Sequence, residues 1–210
     1  MKKIKNWTNK NPSFRYEKLF WKKGLNLIVG VDEVGRGAFA GSVVAATVIL
    51  PKNFKINGIK DSKLLTPQKR EVLSEYIKNN ALFYSISKVS VSYINKYGVG
   101  KATEKAMIDS LEKLKGKFDF VLVDGYKLKN FDNNLQKGII HGDSLCVSIA
   151  AASIVAKVYR DNLMTKLHKN YPQYNFSKNK GYGTKYHREA LKKYGLSNIH
   201  RTSFNLSKYL

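Results

Sequence analysis

Only 15 of the 210 residues are acidic, and four of them stand where apolar runs begin or end. Asp32 and Glu33 follow directly on Leu27–Val31, Asp124 closes Phe118–Val123, and Asp143 precedes an alanine-rich stretch. Acids at the edges of core elements can converge at one end of a sheet, where ligand sites of α/β folds lie. Two carboxylates about 4 Å apart repel by about 4 kcal/mol at an effective dielectric near 20, so a group of four needs cations. With oxygen-only donors the hard ions Mg²⁺ and Mn²⁺ fit best. A pair of such ions activates a water and stabilises the leaving oxygen of an in-line phosphoryl displacement, with no nucleophilic Ser or Cys required. Each acid also has a plainer reading. An acid after a strand commonly forms a turn, and Asp143 is suited to cap the helix behind it. Spacing alone leaves both readings open.

The elements that would position these acids are marked by pattern. Leu27–Val31 and Val43–Leu50 read as strands, short, apolar and partly β-branched, with glycine-rich punctuation between them. Phe118–Val123 is nearly continuous in apolar residues, as a strand buried on both faces is. Leu82–Val91 alternates like a half-buried strand, and Gly138–His141 is a short strand candidate. Thr66-Pro67 joins a capping hydroxyl to a first-turn proline and predicts a helix as far as Asn79-Asn80, with Val72, Leu73, Tyr76 and Ile77 at helical spacing. Further helices are expected over Lys101–Leu114, with Ala102, Ala106, Leu111 and Leu114 inside, over Ser144–His168, and near His187–Tyr194. The small residues of SIAAASIVAK would let the long helix lie close on a sheet; Lys157, Arg160 and Asp161 on it are expected to be salt-bridged or solvated. Glu17–Lys23 predicts a short helix packed through Leu19, Phe20 and Trp21. Strands first, then alternating helices and strands, give an α/β domain with a mixed sheet. No repeat or linker divides the chain, so a basic N-terminal extension (1–25) and one domain (26–210) are expected.

The net charge of +23 invites a polyanionic partner. It equally fits a residue bias, since Lys far outnumbers Arg and the basic residues are spread throughout. A hydrophobic content of 43% argues against wholesale disorder. The apolar stretches Val43–Leu50 and Leu145–Ala156 fall short of the roughly 18 residues needed to span a bilayer. MKKIKNWTNK has no apolar stretch behind it and makes a poor signal peptide. The lone Cys146 excludes an internal disulfide framework and a cysteine-rich metal site. These features favour a cytoplasmic address.

Seven ordered segments then resemble the ribonuclease HII family, the type 2 ribonucleases H. They are GVDEVGRG at Gly30–Gly37, AGSVVAATVIL at Ala40–Leu50, DSKLLT at Asp61–Thr66, VLVDG at Val121–Gly125, GDSLCVSIAAASIVAKVYRD at Gly142–Asp161, KGYGTKYH at Lys180–His187 and HRTSF at His200–Phe204. The resemblance implies an RNase H-like fold, a mixed five-stranded sheet flanked by helices with a helical C-terminal portion. It implies that Asp32, Glu33, Asp124 and Asp143 match the family's metal-binding acids, the set that the strand ends also suggest. It implies hydrolysis of the RNA strand of RNA–DNA hybrids with two Mg²⁺ or Mn²⁺ ions, leaving 5′-phosphate and 3′-hydroxyl ends. It further implies cutting 5′ of a single ribonucleotide embedded in duplex DNA. Gly35, Arg36 and Gly37 match the motif that senses the ribose 2′-hydroxyl, and Tyr182 matches a tyrosine that stacks on the adjoining deoxyribose. Lys63 and Ser144 match positions that hold backbone phosphates. A monomer is expected, without a polymerase-clamp tail in NLSKYL.

The chain departs from the family at Ala38 and Ser42, where proline is common, and at His141, most simply a solvated or strand-end histidine. His168, His187 and His200 form no metal-ligand spacing. Three rival readings are a ribonuclease HIII-like hybrid nuclease, a non-catalytic nucleic-acid-binding protein with the same fold, and a resolvase-like nuclease. Arg36 between its two glycines and the short stretch before the first strand favour type HII over HIII.

Overall fold

A computed structural model describes residues 11–55, 58–59 and 65–210. In chain order they form α1 (Arg15–Trp21), β1 (Ile28–Val34), β2 (Val43–Ile49), α2 (Pro67–Asn80), β3 (Phe83–Val89) and α3 (Val91–Glu112). There follow β4 (Phe120–Asp124), β5 (Gln136–Ile139), α4 (Gly142–Leu145), α5 (Val147–His168), α6 (Phe176–Asn179) and α7 (Lys185–Tyr194). The sheet runs β3-β2-β1-β4-β5. β2 is antiparallel to both neighbours, whereas β4 is parallel to β1 and to β5. This is the expected mixed five-stranded sheet of the RNase H-like fold.

The apolar runs of β1, β2 and β4 leave neither face exposed because helices cover both. Val44, Ala46 and Val48 pack with Ile77 of α2 and the alanines of α5. Val29, Val31, Val121 and Val123 pack on the other side against Ala102, Ala106, Met107 and Leu111 of α3. Gly30 lets α5 lie directly on β1, since a Cβ there would collide with the Ser148 carbonyl carbon. Thr66 caps α2 by accepting from the Lys69 amide at 3.3 Å.

Several boundaries differ from those the sequence predicts. β1 does not stop at Val31. Pairing with β2 carries it on to Val34, so Asp32 and Glu33 lie within the strand, opposite Ala46 and Ala45. α3 joins two helices at Gly98, whose φ of 84° and ψ of 158° are not helical. The second is the helix expected over Lys101–Leu114, and the first, which Ser90 caps by accepting from the Tyr93 amide, precedes it from Val91. β5 begins at Gln136, whose buried amide side chain bonds the Leu128 backbone and so hides a polar residue in a strand.

The helix expected over Ser144–His168 is broken at Cys146, which is extended (φ −121°, ψ 126°). The N-terminal segment holds this break. Ser13 bridges Cys146, and the Glu17 carboxylate accepts from the Ser148 amide at 2.9 Å and the Cys146 thiol at 3.1 Å. An acid at the start of α5 satisfies an otherwise unpaired amide and complements the helix dipole. α1 therefore packs into the core through Phe20, stacked on Phe120 at 4.0 Å, and not through Leu19, which is 48% exposed. At the other end of the chain, Met164, Tyr174, Phe176, Ala190 and Leu191 form a separate apolar cluster with Ala40. It docks the C-terminal helices against the loop between β1 and β2.

Candidate active site

The parallel register pairs Val31 with Val123, so the residues that follow come level on adjacent strands, Asp124 at the carboxyl end of β4 and Asp32 two residues before that of β1. Donor oxygens of Asp32, Glu33 and Asp124 lie within 4.8 Å of one another. Asp143, presented by α4, lines the same cleft of about 460 Å³, outside that tight group. Backbone donors orient the carboxylates: the Glu33 amide donates to Asp32 Oδ1 at 2.6 Å, and the Gly142 amide to Asp124 Oδ1 at 2.7 Å. A side chain at Gly142 would crowd Ile149 and that same Asp124 oxygen.

Burial holds the Asp32 carboxyl well above its ordinary range, and the neighbouring Glu33, Asp124 and Asp143 charges add to the rise. A hydrogen bond from Ser153 of α5 opposes it. Glu33 is raised by burial and by Asp124, against the pull of Arg36, whose guanidinium lies 3.6 Å from the Glu33 carboxylate. Crowded, buried carboxylates with raised proton affinity need positive charge, and an all-oxygen donor set suits a hard divalent cation. The residues present therefore fit a Mg²⁺ or Mn²⁺ site.

Gly35, Arg36 and Gly37 form one wall of the cleft and Tyr182 another. Gly35 takes φ +94°, a conformation that favours glycine, while the Arg36 side chain is 60% exposed. Tyr182 is held between Gly181 and Gly183, where a Cβ would meet the Ala40 carbonyl and the Phe39 ring respectively. Lys157 Nζ and the Arg160 guanidinium lie 5.7 and 5.4 Å from the Tyr182 ring centroid. Of the other expected site residues, Ser144 stands outside the cleft lining, its hydroxyl donating to the His141 carbonyl at 2.9 Å. Lys63 lies outside the described residues.

Four further residues bear on the site. Ser153 and Lys157 line the cleft, one turn apart on α5. Arg160 and Arg201 sit fully buried behind the Gly35–Gly37 loop. Lys157 does pair with Asp161 at 2.7 Å, but Arg160 is not the solvated or salt-bridged residue expected. Its guanidinium faces carbonyls contributed by distant loops. The only signal for Ser153 and Lys157 is their i, i+4 spacing in an otherwise apolar run.

The family model described as Ribonuclease HII matches residues 29–207. A Ribonuclease HII of Caldanaerobacter subterraneus subsp. tengcongensis is 51% identical over 189 residues, covering 90% of this chain and 78% of the relative. The crystal structure of ribonuclease H2 from Pyrococcus horikoshii superposes with a TM-score of 0.70 at 24% identity, covering 86% of this chain and 95% of that one. Bst-RNase HIII in complex with Mn²⁺ has the same TM-score at 17% identity, covering 87% and 68%.

Proposed function

Because the chain belongs to the ribonuclease HII family, we propose that the cleft between β1, β4 and α5 is where it cuts RNA, with Asp32, Glu33, Asp124 and Asp143 holding the metal. The enzyme is a divalent-metal-dependent endoribonuclease acting on RNA–DNA hybrids. The observation that carries the site assignment is the convergence of three carboxylates within 4.8 Å, in one cleft with the Gly35–Gly37 loop and Tyr182.

Two Mg²⁺ or Mn²⁺ ions held by these acids would supply the Lewis acidity for activating a water and for stabilising the leaving oxygen of an in-line displacement. A fold neighbour has been crystallised with Mn²⁺. Asp32, Glu33 and Asp124 form the main cradle, and Asp143 contributes from α4. The Glu33 and Gly142 amides and the Ser153 hydroxyl fix which carboxylate oxygens face inward. The products carry 5′-phosphate and 3′-hydroxyl ends.

The finer substrate is duplex DNA carrying a single ribonucleotide, cut on its 5′ side. Gly35, Arg36 and Gly37 bring backbone groups against the ribose 2′-hydroxyl, and Tyr182 packs on the adjoining deoxyribose. Lys63 and Ser144 are assigned to the phosphates of the bound strand; for Ser144 that role requires its hydroxyl to leave the His141 carbonyl. The working form is a monomer in the cytoplasm. Among the described residues no helix is long and apolar enough to cross a membrane.

The test neutralises the acids one at a time. Asp32→Asn, Glu33→Gln, Asp124→Asn and Asp143→Asn should each lower turnover of a hybrid in Mg²⁺ by about 100-fold or more, with the circular dichroism of the native fold retained. Near-normal rates in two of these variants would show the assignment to be wrong.

A further inference from the structure

We propose that Arg160 and Arg201 are positioning residues for ribonucleotide recognition, two buried guanidinium forks that fix the Gly35–Ser42 loop and the Tyr182 turn relative to each other. The inference rests on the reading of that loop and of Tyr182 as the sugar-recognising surface.

Both side chains are 0% exposed. Arg201 donates to the Arg36 carbonyl at 2.7 Å and, through Nε and Nη2, to the Gly41 carbonyl at 3.0 and 2.8 Å. Its own amide donates to the Phe39 carbonyl at 2.8 Å. One residue of the C-terminal tail thus gathers three points of the loop. Arg160 takes the other side: its Nε and Nη2 donate to the Ser42 and Ala40 carbonyls at 3.0 and 3.1 Å, and its Nη1 to the Lys180 carbonyl at 2.8 Å. Its guanidinium also lies 5.4 Å from the Tyr182 ring centroid. The loop is therefore tied both to the tail and to the turn that carries Tyr182.

This arrangement constrains the recognition loop directly. The bond from Arg201 fixes the direction of the Arg36 carbonyl, and with it the peptide plane between Arg36 and Gly37. A Cβ on Gly35 would collide with the Arg160 side chain, so the first glycine of the motif makes room for the fork beneath it. The site demands a fork. A lysine offers one point of charge and cannot bond carbonyls on both sides of a loop. Neither arginine forms an ion pair among the described residues. Two buried cations with no ion pair among the described residues cost desolvation that an apolar side chain would avoid, so packing alone gives no reason for them. Holding carbonyls in register does.

The experiment compares Arg201→Met, Arg201→Lys and Arg160→Met with Tyr182→Ala. The substrates are a DNA duplex with one ribonucleotide and a long RNA–DNA hybrid. For the arginine variants, amide hydrogen exchange over residues 35–42 and Mn²⁺ affinity by calorimetry are measured as well. We expect kcat/KM at the single ribonucleotide to fall about 10- to 100-fold and by much less on the hybrid. Exchange over residues 35–42 should speed up, Mn²⁺ affinity should stay unchanged, and lysine should fail to rescue. Equal losses on both substrates in step with lowered Tm, full rescue by lysine, or failure of both Arg201 variants to fold would overturn the positioning role. Selective loss in Tyr182→Ala without selective loss in the arginine variants would reject this inference alone. Equal loss on both substrates in Tyr182→Ala would reject the reading of the site beneath it.

Discussion

Burial and like charge work against an ionised Asp32. Burial and then the charges of Glu33 and Asp124 raise its proton affinity, so the metal-free folded protein binds a proton there more readily than the unfolded chain does. A carboxyl whose folded pKa is raised contributes stability below its unfolded pKa and loses it as pH rises through the folded one. The same sign applies to Glu33. Near neutral pH both therefore weaken the metal-free fold, as functional sites often do. We expect Asp32→Asn to raise the metal-free Tm at pH 7 by roughly 2–8 °C, corresponding to about 1–2 kcal/mol, while abolishing cleavage. The gain should shrink as the pH is lowered, and added Mn²⁺ should raise the Tm of the wild type more than that of the variant. Differential scanning calorimetry reads all three. A variant less stable than wild type at pH 7 without metal would show that the carboxylate cluster carries no strain.

At the scale of elements, α5 links the site together: its start lies on Gly30, its middle supplies Ser153 and Lys157, and its next turn supplies Arg160. The strand ends near Asp32 and Asp124 are legible in the sequence, because a long apolar run that stops at an acid marks the edge of a core. The continuation of β1 through Glu33 is not, since the hydrogen bonds that sustain it come from β2. A serine in an alanine run reads as filler until β1 comes close enough to make it a partner of Asp32. Arg160 and Arg201 are illegible for a related reason: their partners come from loops distant in sequence. The C-terminal helices carry a second buried polar device, with His187 Nε2 3.0 Å from His200 Nε2 and His187 Nδ1 2.9 Å from the Tyr182 carbonyl. Burial, and then the neighbouring His187, lowers the His200 pKa to about 4, and burial also lowers that of His187. A depressed histidine contributes stability above its unfolded pKa of about 6.5, and that stability is lost as pH falls towards the folded value. Between pH 7 and 4, amide protection in Lys185–Tyr194 and around Tyr182, corrected for the intrinsic slowing of exchange in acid, should therefore fall before that of the central sheet. A uniform loss of protection across the molecule would contradict this.

At the scale of the whole molecule, the net charge of +23 is the widest feature of the chain, and composition alone does not separate a working surface from a lysine bias. Salt dependence does. Binding of the Asp124→Asn variant, expected to be inactive, to a hybrid should weaken with a log–log salt slope near −5, as expected when about six phosphates are neutralised. A slope near zero would mean that the excess charge lies away from the nucleic acid. The central claim joins the scales: carboxylates brought level by strand register cut a phosphodiester that the Gly35–Gly37 loop and Tyr182 select through one hydroxyl. A site that pairs its polar groups with that hydroxyl leaves them unpaired when it is missing, a loss of about 1–3 kcal/mol or more. The most direct measurement maps the ends produced from a DNA duplex containing one ribonucleotide, in Mg²⁺, beside the same duplex made wholly of DNA. The account predicts a single cut at the phosphate 5′ of the ribonucleotide and an intact all-DNA duplex. An uncut ribonucleotide-containing duplex, or equal cleavage of both, would contradict it.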